Sequence, residues 1–140
     1  PAQTTPVPSQ PNVTTPVGGT DPQLAGTWTL KEMGLQGGQA PLTLFPQPVT
    51  NTFSGPGVLA GTGGCNNYGG SYLLTGENGP FGREIRIGPI TTNLMYCADS
   101  GDIERIYFQI LSNVSAYAID NNITLSMRDP VGSVLVYQRA

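Results

Sequence analysis

Hydrophobic and polar positions alternate along this chain in short runs, and glycine and proline divide the runs. Gly26-Thr27-Trp28-Thr29-Leu30 sets Trp28 and Leu30 against threonines and predicts the start of a strand, with Gly34, Gly37 and Gly38 expected to break it. Val49 to Ser54 predicts a second strand, with β-branched residues and Phe53 between proline-rich flanks. Gly57 to Thr62 is expected to pair with it through a tight turn at Gly55-Pro56-Gly57. Ser71 to Leu74 and Glu84 to Ile87 follow, the latter alternating Ile85 and Ile87 against Glu84 and Arg86. Between them Gly76-Glu77-Asn78-Gly79-Pro80 carries turn chemistry.

The period changes once. Ile103, Ile106, Tyr107, Ile110, Leu111 and Val114 recur at three- and four-residue spacing, which predicts a helix near residues 102–113. Asp99 or Ser100 is placed to cap its start, Asp102 and Glu104 sit at the positive end of its dipole, and Arg105 and Gln109 face water. Three strands then close the chain. Val114 to Ile119 and Asn122 to Met127 flank a turn at Asp120-Asn121, and Asp129-Pro130-Val131-Gly132 leads into Ser133 to Arg139. In that last run Leu135 and Tyr137 share one face, and Val134 and Val136 the other.

Composition separates a tail from a domain. Residues 1–20 hold no charge and no aromatic, and Pro6, Pro8, Pro11 and Pro16 lie among threonine, serine and glutamine. Such a segment buries too little apolar surface to offset its ordering entropy and reads as a flexible tether, about 60 Å long in polyproline form. A plain terminal tail is the alternative. Residues 21–140 are expected to form one domain, and 19 glycines with 13 prolines favour many turns and a β-rich fold.

Charge and residue inventory exclude whole classes of chemistry. A net charge of −3 and six scattered basic residues (Lys31, Arg83, Arg86, Arg105, Arg128, Arg139) argue against nucleic acid and anionic membrane surfaces. No apolar run approaches the roughly 20 residues of a transmembrane helix. The chain opens on Pro1, so a signal peptide or a lipid-anchor cysteine upstream stays an open expectation. With no histidine, His-based nucleophilic catalysis and the usual zinc or copper sites are absent, and a lysine dyad would rest on Lys31 alone. Glu77, Glu84, Asp99, Asp102 and Glu104 are the carboxylates available for glycoside hydrolysis, but each has a structural explanation as turn, exposed strand position or helix start. No catalytic residue, metal site or cofactor is expected. Asp120-Asn121-Asn122 lacks the ligand spacing of a calcium loop, and Gly61-Thr62-Gly63-Gly64 has no following lysine and makes a poor phosphate loop. Asn12, Asn113 and Asn122 open short glycosylation patterns that matter only in a glycosylating host.

Cys65 and Cys97 are the only cysteines. They allow one disulfide, whose loop of 32 residues (97 − 65) corresponds to about 3–4 kcal/mol of chain entropy, or two free thiols in a reducing compartment. The exported look of the composition favours the bridge.

The run Gly64-Cys65-Asn66-Asn67-Tyr68-Gly69-Gly70-Ser71-Tyr72 resembles the Gly-Cys-Asn-x-Tyr-x-Gly-x-Tyr motif of META domains, also called HslJ-like. In the same order, Leu24 to Leu30 resembles that family's opening strand, Thr92-Asn93-Leu94-Met95-Tyr96-Cys97 its Thr-x-x-Met-x-Cys segment, Glu104 to Leu111 its helix and Leu135-Val136-Tyr137 its final strand. The resemblance covers residues 22–139. It implies a mainly β (α+β) fold, a small, partly open antiparallel β-barrel of lipocalin-like form with one packed α-helix. It also implies an exported or lipid-anchored envelope protein linked to heat or other stress, without an established enzymatic activity. The long tail is a departure from the pattern.

Gly26-Thr27-Trp28 also resembles the Gly-x-Trp opening of lipocalin-like barrels, in which an arginine of the last strand stacks on the tryptophan. Arg139 is placed to do so, for about 0.5–2 kcal/mol, and a plain core role for Trp28 is the alternative. Gly64, Asn66, Tyr68, Gly70 and Tyr72 read as architectural: glycines for bends, Asn66 bonding backbone, tyrosines filling or rimming the barrel. The leading functional expectation is a non-enzymatic module with an unidentified protein partner. A carrier of an apolar small molecule comes next, and third a protease inhibitor presenting Phe45-Pro46-Gln47-Pro48 as a rigid exposed loop.

Overall fold

The computed structural model describes residues 21–35, 38–40, 42–45, 47–54, 56–93 and 101–140, with only the backbone of 44, 101 and 102. Met95, Cys97, the proposed cap at Asp99 or Ser100, and the tail 1–20 therefore lie outside the described residues.

Ten strands and one helix follow in order: β1 (Gly26–Leu35), β2 (Gly38–Ala40), a 3-10 turn (Leu42–Leu44), β3 (Thr50–Ser54), β4 (Val58–Thr62), β5 (Asn67–Gly79), β6 (Gly82–Ile87), β7 (Thr91–Thr92), α1 (Gly101–Ser112), β8 (Ala116–Asp120), β9 (Thr124–Arg128) and β10 (Val134–Arg139). Eight of them pair antiparallel in the cycle β1-β3-β4-β5-β6-β8-β9-β10, and β10 returns to β1. The expected barrel with one packed helix is present, and its ring of pairings is complete. The thinnest seam is β6 against β8, where only Arg83↔Tyr117 and Glu84↔Ala116 are paired. β2 and β7 are short additions beside β1 and β5.

Two predicted breaks are absent. β1 runs through Gly34 because that residue faces Val134 in β10, and a Cβ there would lie 2.8 Å from the Val134 Cγ1. The missing side chain lets the strands approach and does not end one. Likewise β5 continues through Gly76, which absorbs a register shift between Leu74 and Asn78 at φ +85, and the turn falls instead at Pro80-Phe81, between the paired Gly79 and Gly82. The β8–β9 turn falls later than the expected Asp120-Asn121: Asp120 still pairs with Thr124, the turn is 121–123, and Asn121 and Asn122 both take left-handed φ, at 52 and 58, which asparagine tolerates better than most residues. At the β9–β10 turn Asp129 Oδ1 accepts the backbone N–H of Ser133 at 2.7 Å and of Val131 at 3.2 Å.

Interior positions are taken by large side chains. Trp28, Phe53, Leu59, Ile85, Tyr117, Leu125, Met127, Leu135 and Tyr137 are buried, and α1 adds Tyr107, Ile110 and Leu111. Leu135 and Tyr137 point inward while Val134 and Val136 are half-buried outside, as the alternation requires. Arg105 and Gln109 of α1 are exposed. The strand register gives the barrel two ends. The entry end carries residues 21–26, the β3–β4, β5–β6 and β8–β9 turns, and Arg139; the far end carries Gly63–Asn66, α1 and the Asp129–Ser133 turn.

Candidate functional site

At the far end the glycine-rich motif wraps a carboxylate. Glu104, on the first turn of α1, is 4% exposed. Its Oε2 accepts the backbone N–H of Cys65 at 3.0 Å and of Asn66 at 2.7 Å, and its Oε1 accepts the Asn66 side-chain amide at 2.7 Å. Charge-assisted bonds of this kind are roughly twice as strong as neutral ones. The glycines make room: a Cβ on Gly63 would lie 2.6 Å from the Phe108 ring and 2.9 Å from Glu104 Oε2. A Cβ on Gly64, whose φ is +103, would lie 2.8 Å from Phe45. Gly63-Gly64-Cys65-Asn66 is thus the seat that fixes α1 across the barrel mouth. The Asn66 side chain, expected to bond backbone in its own bend, reaches a side chain of the helix.

The entry end is closed by the opposite charge. Trp28 is fully buried, and its indole N–H donates to the Leu24 carbonyl at 2.8 Å. The Arg139 guanidinium lies 4.1 Å from the ring centroid, with Trp28 and Arg139 directly paired across β1 and β10. The same guanidinium donates to the carbonyls of Ala25, Gln23 and Asn122 and to Asn122 Oδ1. The expected stacking is present, and the cation also ties the N-terminal turn to the β8–β9 turn. A Cβ on Gly26 would come within 3.1 Å of that guanidinium.

Between the two ends runs a chain of tyrosines. Tyr68 donates its hydroxyl proton to the Thr50 carbonyl at 2.8 Å, and the hydroxyls of Tyr68 and Tyr107, and of Tyr107 and Tyr137, are each 2.9 Å apart. Burial pushes all three phenols well above the ordinary tyrosine range, since a phenolate here would be stripped of water. Tyr68 therefore fills the barrel, whereas the half-buried Tyr72 packs edge-on to Phe53 at the entry rim. Gly70 admits a close neighbour, since a Cβ there would stand 2.9 Å from the Pro89 carbonyl oxygen. Thr92 pairs with Tyr68 through β7.

Of the remaining ionisable groups most are exposed or half-exposed, whereas Tyr117, Asp129 and the Asp21 carboxylate are buried. Leu74, Glu77, Asn78, Arg83, Glu84 and Tyr117 line a hollow of about 280 Å³. There Glu84 accepts the Thr75 hydroxyl at 2.7 Å and Arg86 at 3.1 Å, and that hydroxyl, first, holds its carboxyl below the usual range. Asp21 accepts from Tyr117 at 2.7 Å and Arg83 at 2.9 Å, and the Tyr117 phenol is pushed up to about 12, chiefly by burial and then by that carboxylate. Glu104 stands at the other end, away from the hollow that Glu77 and Glu84 share. Among the described residues no cluster of three or more acidic or cysteine side chains could hold a metal, and no helix is long and apolar enough to cross a membrane. Phe45 is only 8% exposed, turned inward against Gly64, which removes the aromatic that a reactive inhibitor loop at Phe45–Pro48 would have to present; Pro46 lies outside the described residues.

Sequence reasoning placed Glu104 in the first helical turn and missed its role. The signal was its spacing, three residues before Tyr107 and seven before Leu111, on the apolar stripe. Asn51 was missed as well. It is fully buried, and it sits on the same face as Val49 and Phe53, two residues away on either side.

Two solved structures share this fold. One is the NMR structure of a protein from Burkholderia xenovorans, 22% identical, covering 95% of this chain and 98% of that one with a TM-score of 0.65. The other is the crystal structure of a DUF4847 family protein from Bacteroides vulgatus, 14% identical, covering 85% and 95% with a TM-score of 0.60. No curated protein matches the chain. The META domain family model matches residues 22–140, which is the whole barrel with its helix. The chain belongs to the META domain family.

Proposed function

We propose that this META domain is a non-enzymatic, exported, envelope-associated module that works by binding another protein, with residues 1–20 as its tether and a Cys65–Cys97 disulfide as a staple. Stress in the envelope is the setting that the family resemblance suggests. The observation that carries the proposal is the filled barrel: Trp28, Phe53, Tyr107, Tyr117 and Tyr137 occupy its interior, and Arg139 and Glu104 secure its two ends. A domain built this way meets its surroundings through its outer surface. Val58 and Leu73, 48% and 52% exposed, lie diagonally across β4 and β5 and form the apolar contact best placed for a partner. For the staple, support comes from the absence of a free cysteine among the described residues and from the placement of Cys65 in the seat of Glu104.

In-cell cross-linking from position 58 or 73, followed by native mass spectrometry of protein purified undenatured from its host, tests this. The expected result is a discrete protein adduct and a polypeptide two hydrogens lighter than the reduced chain. A stoichiometric apolar small molecule with no protein adduct would overturn it in favour of a carrier.

A further inference from the structure

Asn51 is wholly buried inside the barrel, and neither its Oδ1 nor its Nδ2 has a hydrogen-bond partner among the described residues. It pairs with Trp28 in β1 on one side and Gly61 in β4 on the other, at the level of the tyrosine chain. An amide stripped of water and left without a partner is costly, so a structure that retains one invites a partner of another kind.

The directions of the tyrosine protons say what that partner must offer. The Thr50 carbonyl can only accept, so Tyr68 must donate to it. Tyr107 must then donate to Tyr68, and Tyr137 to Tyr107, because each hydroxyl has one proton. All three protons are committed, and the Tyr137 oxygen at the end of the chain is left as an acceptor. The Asn51 amide lies close enough to Tyr137 to offset part of the rise in its pKa, yet makes no hydrogen bond with it. Whichever way the amide is turned, its oxygen needs a donor. The Trp28 N–H cannot serve, since the Leu24 carbonyl takes it, and the neighbouring backbone N–H groups belong to the ladder.

We propose that the barrel interior holds one ordered water molecule beside Asn51, donating one proton to the Asn51 carbonyl oxygen and the other to the Tyr137 hydroxyl oxygen. Water is the smallest molecule carrying two donors, and buried waters typically answer polar groups that the chain leaves unpaired. The site makes the tyrosine row continuous from the Thr50 carbonyl to the neighbour of Trp28. It also gives the three buried hydroxyls a purpose that phenylalanines would not serve.

Oxygen-17 magnetic relaxation dispersion on the intact chain counts long-lived internal waters. Wild type is expected to show one more than Asn51→Leu, and Tyr137→Phe, which keeps the ring, is expected to speed that water's exchange. An equal count in folded wild type and Asn51→Leu would overturn the proposal. If Asn51→Leu does not fold, a high-resolution crystal structure of wild type decides: density within about 3.2 Å of both Asn51 Oδ1 and the Tyr137 hydroxyl supports the site. A direct Asn51–Tyr137 hydrogen bond with no such density removes it.

Discussion

Each end of this barrel rests on a charged side chain, of opposite sign at the two ends and used in opposite ways. Arg139 at the entry end donates to carbonyls and stacks on Trp28, and is only half-buried. Glu104 at the far end accepts from the amides of a glycine-rich bend and is almost wholly enclosed. An exposed anchor can lose its partners to water at modest cost, whereas a buried one cannot. The far end is therefore the stricter of the two, and it is where the motif concentrates its glycines.

Both anchors lean on the same tyrosine layer, since Tyr107 belongs to the helix that carries Glu104 and Tyr137 to the strand that carries Arg139. The largest effect is expected when that layer is forced to ionise. Below pH 10 folded and unfolded chains keep their phenolic protons and stability is unaffected. Above it the unfolded chain releases protons that Tyr68, Tyr107 and Tyr137 retain while folded, because their folded pKa values are raised. Stability then falls by about 1.4 kcal/mol per pH unit for each tyrosine, or about 4 for the three together, until the pH passes the folded values. Absorbance at 295 nm followed together with far-ultraviolet circular dichroism is expected to show these phenols ionising only as the barrel unfolds. Smooth titration near pH 10 with unchanged dichroism would contradict their enclosure.

Next in size is Glu104→Ala, which leaves the amides of Cys65 and Asn66 and the Asn66 side chain without their acceptor. A loss of about 3–5 kcal/mol in denaturant unfolding is expected, with Glu104→Gln intermediate because it keeps one acceptor oxygen. A loss below about 1 kcal/mol would mean that the bend does not need its carboxylate.

The contrast between the ends also explains what could be read in the sequence. The Trp28–Arg139 closure was legible because it depends on two uncommon residue types at the two ends of the domain, one opening the first strand and one finishing the last. The strands were legible from alternation, and the helix from its stripe. Glu104 was not: a carboxylate in the first turn of a helix has an adequate local explanation in the dipole, and its true partners lie 38 and 39 residues away. Asn51 fails for a related reason, since a polar residue inside an apolar alternation looks like a weak strand position until the barrel closes around it. The Gly34 and Gly76 errors have one cause too. Glycine signals either a turn or a close approach, and only the neighbouring strand decides which.

The smallest effect is expected at Arg139, and it separates the two closures most cleanly. Arg139→Ala removes the cation–π contact, worth about 0.5–2 kcal/mol, while the freed carbonyls of Gln23, Ala25 and Asn122 lie near enough to the surface to regain water. The total is expected near 2 kcal/mol, and Arg139→Lys should recover less than half of it, because an ammonium cannot span three carbonyls with a planar fork. Trp28 is the chain's single tryptophan, so its emission reports on the entry end alone. Arg139→Ala is expected to shift that emission to the red in the folded protein, and Glu104→Gln to leave it in place. If both variants move it equally, the two ends are one cooperative unit joined through the tyrosines; if neither does, Arg139 does not hold the ring closed.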